Sequence, residues 1–283
     1  MKLSAHEIRG AVQAALREDL GSGDVTTLAT IPQTARLTVL LRAREPLTVA
    51  GLAFAATAFQ LCARRIHVKK LVRDGQRVRR GAGLMEISGP ARAILSVERV
   101  ALNYVQRLSG IATLTGQFVA AVHGTRAKIL DTRKTTPGWR RFEKYAVACG
   151  GGHNHRFGLF DLVLIKDNHL AALRDAHPNA IAAAVQRARK KYPRLKVEVE
   201  ADTLAQVRQA VTAKADIILL DNMIPADLRR AVQLIAGRAK SEASGGITLS
   251  TVRGRALTGV DFISVGALTH SARAVDIGLD YQA

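Results

Sequence analysis

The second half of the chain repeats one arrangement, in which an apolar, strand-like run ends in polar residues and gives way to sequence of helical periodicity. The runs are Lys128 to Asp131, Leu162 to Lys166, Val197 to Glu200, Ile217 to Asp221, Glu242 to Ser244 and Phe262 to Gly266, and their ends fall 35, 34, 21, 23 and 22 residues apart. The three shorter intervals each suit one strand followed by one helix, while the first two leave room for an extra excursion. This alternation predicts a parallel sheet with helices outside it. Specifically, it predicts a β/α barrel, and an incomplete one, because six strands can be counted.

In a barrel of this kind the C-terminal ends of the strands share a mouth, where chemistry is placed. The strand ends here supply Asp131, Arg133, Lys134, Lys166, His169, Glu200, Asp221, Asn222, Ser244, Gly245, Gly246 and Gly266. Between the first two strands lies Gly150-Gly-Gly-His-Asn-His155-Arg156. A mouth with several cations and two carboxylates suits a polyanion, with or without a divalent metal.

Each group has two readings. Arg133, Lys134, Arg156 and Lys166 either grip anions or salt-bridge Glu200 and Asp221 to close the mouth. The glycines after Ser244 and at Gly266 either bring backbone N–H groups to a phosphate, with His270 as a further donor, or form ordinary turns. His153, His155 and His169 suggest a metal site, but no third ligand has a recognised spacing. The preceding glycines instead predict a tight turn presenting Asn154, His155 and Arg156. Glu200 and Asp221 have the oxygen chemistry of Mg²⁺ ligands, and are equally partners for Lys134 or Lys166.

The first half differs. Ser4 and Glu7 form a capping box ahead of an amphipathic helix on Ile8, Val12, Ala15 and Leu16, which Gly21 and Gly23 end. Glu18 to Thr27 reads as a helix exit and a turn. Strand-like stretches at Leu37 to Arg44, Ile66 to Val72 and Leu84 to Ile87 predict a small α+β domain. From Ala91 to Val122 the pattern is helical and is expected to break at Ser109-Gly110, at the joint between two domains. Arg99 lies in that stretch, either solvated or reaching toward another surface.

Composition narrows the class. With 48% hydrophobic residues the chain is neither disordered nor collagen-like, and no apolar run approaches the ~18 residues of a spanning helix. The start runs directly into charged amphipathic sequence, so a cytoplasmic location without membrane association is expected. Cys62 and Cys149 form no cluster and are expected to be small buried residues. The 42 basic against 23 acidic residues leave a net charge of +19, with clusters at Arg64, Arg65, Lys69, Lys70, Arg73, Arg77, Arg79 and Arg80, and at Arg187, Arg189, Lys190, Lys191, Arg194 and Lys196. Only 4% of residues are aromatic and no zinc-finger or RNP-like motif is present. A solvated basic face or an anionic small molecule therefore fits better than nucleic acid.

The run DTRKTTPGWRRFEKYAVACGGGHNHRFGLFDLVLIKDNHL resembles the quinolinate phosphoribosyltransferases. Matching segments, among them EDLGSGDVTT, SVERVALNYVQRLSGIATLTG, VEVEADTL, EASGGI and DFISVGALTH, extend over almost the whole chain. Trp139 departs from the family pattern, where a smaller or aliphatic residue is expected. The resemblance implies transfer of phosphoribose from phosphoribosyl pyrophosphate to quinolinate with decarboxylation. The products would be nicotinate mononucleotide, pyrophosphate and CO₂, formed with Mg²⁺ in NAD biosynthesis. It implies an N-terminal α/β sandwich domain (1–108, joined by the tail 271–283) and an incomplete, seven-stranded α/β barrel (109–270). It further implies at least a homodimer, with Arg99 supplied to the neighbouring site. Carried over by motif, Arg99, Arg133, His155, Arg156 and Lys166 surround the quinolinate carboxylates, and Lys134 reaches both substrates. Glu200 and Asp221 face the ribose and the metal-bound pyrophosphate, directly or through water. Ser244, Gly245, Gly246, Gly266 and His270 hold the 5′-phosphate. Lys134, Glu200 and Asp221 are the implied catalytic residues.

Overall fold

A computed structural model describes residues 2–63 and 65–281. Arg64, from the first basic cluster, lies outside them. The described chain forms two compact units. One holds the residues up to Gly116 together with 141–151 and the chain from Ala272 onward; the other holds 117–140 and 152–271.

The first unit contains β1 (Arg36–Ala43), β2 (Leu47–Thr48), β3 (His67–Lys70), β4 (Arg77–Val78) and β5 (Gly83–Pro90). β1 and β5 pair antiparallel at the centre of a four-stranded sheet, with β3 on one edge and the C-terminal strand Ile277–Tyr281 on the other. Along β1, Val39, Leu41 and Ala43 alternate inward and are fully buried, as are Phe54 and Phe59 of the helix Leu52–Cys62. The capping box is formed: Glu7 N donates to Ser4 Oγ at 3.2 Å, and Ser4 N donates to Glu7 Oε2 at 2.8 Å. The Glu18 to Thr27 stretch does more than turn, because Asp24 accepts from Thr27 N at 2.9 Å and caps a second helix, Val25–Thr30.

Ser109 and Gly110 do not break the helix. It runs unbroken from Ala91 to Ala121, and these two residues serve its packing instead. Ser109 Oγ accepts from Ala50 N and donates to Ala50 O, while a Cβ on Gly110 would stand 2.0 Å from the Arg273 carbonyl oxygen. Small residues here admit neighbouring backbone that any larger side chain would exclude. The segment 141–151, expected within the barrel, lies in the first unit. There Glu143 pairs with Arg107 at 2.9 Å and Tyr145 OH donates to Asp74 at 2.6 Å. The cysteine expectation is also corrected: Cys62 is exposed and Cys149 half-buried, both as free thiols.

The second unit is built on β6 (Lys128–Leu130), β7 (Val163–Ile165), β8 (Val197–Ala201), β9 (Ile217–Asp221), β10 (Lys240–Ser244) and β11 (Phe262–Ser264). All neighbours are parallel, in the order β6-β11-β10-β9-β8-β7, so the last strand returns beside the first as barrel closure requires. The implied seventh strand is reduced to a single bridge. His153 N donates to Ile129 O at 2.8 Å and accepts, through its carbonyl, from Asp131 N at 3.1 Å. Among the described residues no ladder joins this bridge to β7, and the barrel is open there. The two long intervals hold the expected excursions, Arg140–Cys149 in the first and Asp167–Ala171 ahead of Ala180–Lys191 in the second.

The base of β11 is tied by charge. Asp261 accepts from Ser241 N and Ser241 Oγ at 3.0 Å each and pairs with Lys240 at 3.0 Å and with Arg126. Burial raises its carboxyl pKa, but these four donors outweigh burial and hold it at about 2. The basic clusters meanwhile stand largely in solvent, with Lys69, Lys70, Arg73, Arg79, Lys190 and Arg194 all exposed.

Candidate active site

The C-terminal strand ends of the barrel enclose a cavity of about 730 Å³. Its lining includes Arg133, Lys134, His155, Arg156, Lys166, Glu200, Asp221, Ser244, Gly245, Gly246, Gly266 and His270. Arg99 is not among the lining residues; it is exposed on the helix Ala91–Ala121.

One wall is cationic. Arg133 and Lys134 follow β6, and Arg156 follows the His153 bridge. Asp131, fully buried, fixes the bridge segment by accepting from Asn154 Nδ2 at 2.6 Å and His155 N at 2.9 Å. Burial lowers the Arg156 pKa, and the neighbouring Arg133 guanidinium lowers it further, against the opposing charges of Glu198 and Asp161. Arg133 Nε is itself buried without a hydrogen-bond partner. Two guanidiniums that repel each other, one with an orphaned donor, favour an anion between them.

The opposite side is acidic. Lys166, at the end of β7, donates to Glu200 Oε2 at 2.9 Å, so the salt-bridge alternative holds for this pair. Asp221 ends β9 and accepts from Asn222 Nδ2 at 2.6 Å. Asp202, just beyond Glu200, has its carboxyl pKa raised by burial and by the charges of Asp221 and Asp167.

The third part is a pair of glycine turns. Gly245 and Gly246 have φ of +88° and +58° ahead of the helix Leu249–Ala256, and Gly266 opens the turn Ala267–His270. A Cβ on Gly245 would stand 2.0 Å from Asn222 Oδ1, and one on Gly266 would crowd Lys134 Cδ and His270 Nε2 at 3.1 Å each. The glycines therefore keep both turns low and leave backbone groups near the cavity.

His153, His155 and His169 do not gather on the cavity, in keeping with the turn reading of this segment. His153 is held in the bridge and His169 Nδ1 accepts from Lys166 N at 2.9 Å, so that of these three only His155 lines the cavity. A different group gathers at the floor. His155 Nε2 lies 3.1 Å from Glu198 Oε2 and 3.5 Å from Glu242 Oε1, both carboxylates being almost fully buried. Burial and the adjacent Glu198 charge push the Glu242 pKa up, with His155 opposing. The sequence reading passed over both residues, although a signal was present: Glu198 shares the inward face of β8 with Glu200, and Glu242 that of β10 with Ser244.

A barrel mouth that sets a cationic wall opposite carboxylates and beside glycine turns defines an anion-handling α/β enzyme of the phosphoribosyltransferase class. Comparison with known proteins agrees over both units. The quinolinate phosphoribosyl transferase N-terminal domain profile matches residues 24–109 and the C-terminal domain profile residues 111–280. The chain belongs to the quinolinate phosphoribosyltransferase family. It is 42% identical over 264 residues to the probable nicotinate-nucleotide pyrophosphorylase [carboxylating] of Bacillus subtilis, covering 93% of this chain and 89% of that one. It is 44% identical over 280 residues to the Mycobacterium leprae enzyme of the same name, covering 96% of each. The nicotinate-nucleotide pyrophosphorylase structure from Francisella tularensis superposes with a TM-score of 0.93 at 40% identity, over 99% of this chain and 98% of that one.

Proposed function

We propose that the chain transfers phosphoribose from phosphoribosyl pyrophosphate to the ring nitrogen of quinolinate and releases pyrophosphate, CO₂ and nicotinate mononucleotide, a step of NAD biosynthesis. The observation that carries this reading is the apposition of Arg133 and Arg156, whose shared repulsion and orphaned Nε call for a doubly charged ligand. Quinolinate presents two adjacent carboxylates to that wall. Arg133, His155, Arg156 and Lys166 surround them, and Lys134 stands between this subsite and the glycine turns. Ser244, Gly245, Gly246, Gly266 and His270 receive the 5′-phosphate on backbone N–H groups.

Both substrates are polyanions, so the cationic wall concentrates them and offsets the repulsion of holding them together. As the bond from ribose C1 to pyrophosphate lengthens, positive charge develops on the ribose, and the Glu200 and Asp221 carboxylates stabilise it. The pyridine nitrogen then bonds to C1. The ring nitrogen becomes cationic, and as the carboxylate on the adjacent ring carbon departs as CO₂ this positive charge stabilises the electron pair left on that carbon, which then takes up a proton from solvent, so the decarboxylation needs no cofactor of its own. The residues must chiefly orient the ring and exclude water.

Glu200 and Asp221 provide hard oxygen donors, joined by Asp202, whose pKa is raised by burial and then by the charges of Asp221 and Asp167, and this donor set fits Mg²⁺. When bound, Mg²⁺ supplies positive charge to the pyrophosphate leaving group. Exposed Arg99 is suited to the neighbouring subunit's quinolinate subsite in a homodimer. We infer a cytoplasmic location, with which two free thiols accord as in a reducing compartment; among the described residues no helix is long and apolar enough to cross a membrane.

The test is incubation of purified protein with quinolinate, phosphoribosyl pyrophosphate and Mg²⁺, following nicotinate mononucleotide and CO₂, with nicotinate as a parallel acceptor. Product from quinolinate alone is expected. Turnover of nicotinate instead, or of neither, overturns the reading.

A further inference from the structure

The floor of the cavity holds charge that the reaction does not use. Glu198 is fully buried and Glu242 is 1% exposed, and their carboxylate oxygens are shut away from water. Burying two carboxylates in this way is costly unless nearby hydrogen-bond donors and cations answer them. The nearest is His155, whose Nε2 lies 3.1 Å from Glu198 and 3.5 Å from Glu242. The next is Arg156, whose charge is opposed by burial and by Arg133 and supported by Glu198.

The other ring nitrogen of His155 is also engaged. Nδ1 accepts from the Arg156 backbone N–H at 2.7 Å, which places the ring proton on Nε2, toward the carboxylates. Above it, His155 N donates to Asp131 at 2.9 Å. The imidazole thus spans from the backbone of the arginine-bearing segment to β8 and β10, with both nitrogens turned to protein. A side chain so tied is a strut.

We propose that Glu198 and Glu242 are positioning residues for anion capture: acting through His155, they hold the Asn154 to Arg156 segment down and compensate the charge of the Arg156 guanidinium beside Arg133 before substrate arrives. Two like charges can be preorganised only if something behind them compensates their repulsion, and these buried carboxylates are placed to do so. The inference refines the dicarboxylate subsite and rests on the quinolinate reading. Beside its place around the substrate carboxylates, His155 thereby supports the arginine that grips them.

The test is steady-state kinetics on Glu198→Gln and Glu242→Gln, which remove charge and keep shape, beside wild type. Wild-type turnover of quinolinate secures the underlying reading first; its absence would refute that reading and this inference together. Given turnover, the quinolinate KM of Glu198→Gln should rise at least tenfold while the phosphoribosyl pyrophosphate KM stays within twofold, and Glu242→Gln should show the same split to a smaller degree. Glu198→Asp retains the charge but withdraws it from His155, and gives the same readout if the amide variant does not fold. Unchanged quinolinate KM in folded variants overturns the proposal. So does a parallel rise of both KM values, or a bound divalent metal that is lost from Glu242→Gln, since the carboxylates would then be ligands.

Discussion

Lys166 Nζ lies 2.9 Å from Glu200 Oε2 and joins the ends of two adjacent barrel strands across the cavity wall. The ammonium belongs to the side expected to take quinolinate, and the carboxylate to the side expected to face ribose. The pair therefore spans both subsites and balances their charges before substrate arrives.

Replacing Lys166 by Ala removes a charge-assisted contact to a substrate carboxylate, an interaction of about 1.5–3 kcal/mol. The expected result is a loss of roughly tenfold to a hundredfold in kcat/KM for quinolinate, measured by steady-state kinetics on protein with an unchanged circular dichroism spectrum.

Arg133→Ala and Lys134→Ala should each reduce turnover or quinolinate affinity by about a hundredfold or more with the fold intact, because each removes charge that a desolvated polyanion needs. Near-normal kinetics in both variants would dismiss the proposed subsite.

Gly245 has φ +88° and no room for a side chain, since its Cβ would meet Asn222 Oδ1 at 2.0 Å. Gly245→Ala should displace the Asp221-Asn222 turn and raise the KM for phosphoribosyl pyrophosphate more than that for quinolinate. Product-inhibition and initial-rate measurements would reveal the reverse order if the turn did not serve the phosphate.

Asp261 provides the acid-stability prediction. Its folded pKa, about 2, lies below the ordinary carboxylate value. Its contribution to stability is therefore complete above about pH 4 and is lost as pH falls through that value toward 2. Asp261→Asn should cost about 2 kcal/mol at pH 7 and flatten the acid limb of the stability curve, read from urea midpoints between pH 7 and 3. An unaltered acid limb would place the acid sensitivity elsewhere.

The Arg99 proposal has its own signature. Mixed dimers of Arg99→Ala with Lys134→Ala should regain part of the activity that each homodimer lacks, because one of the two sites then has both residues intact. Verified heterodimers with no recovery would count against a shared site.

Much of the barrel and its mouth is legible in the sequence. The barrel shows in the sequence because each strand is short, apolar and followed by an amphipathic helix, a local pattern dictated by side-chain periodicity. The residues at the strand ends follow from the same periodicity, and most of them line one cavity, while Asp131 and His169 accept from neighbouring protein N–H groups instead. Ser109-Gly110 was misleading for an equally local reason: residues that disfavour helix in isolation are retained where backbone must approach closely. The excursion at 141–151 left no mark of its destination, because an amphipathic helix shows that it has a buried face without showing what covers it.

The sequence by itself thus determined the alternation of strands and helices in the second half of the chain, which residues stand at the strand ends, and that the mouth is cationic. Tertiary structure alone decided the pairings: Lys166 with Glu200, Arg133 against Arg156, and His155 over Glu198 and Glu242. Those depend on distances between residues tens of positions apart, and electrostatic energies vary too steeply with separation and burial for one-dimensional spacing to specify them.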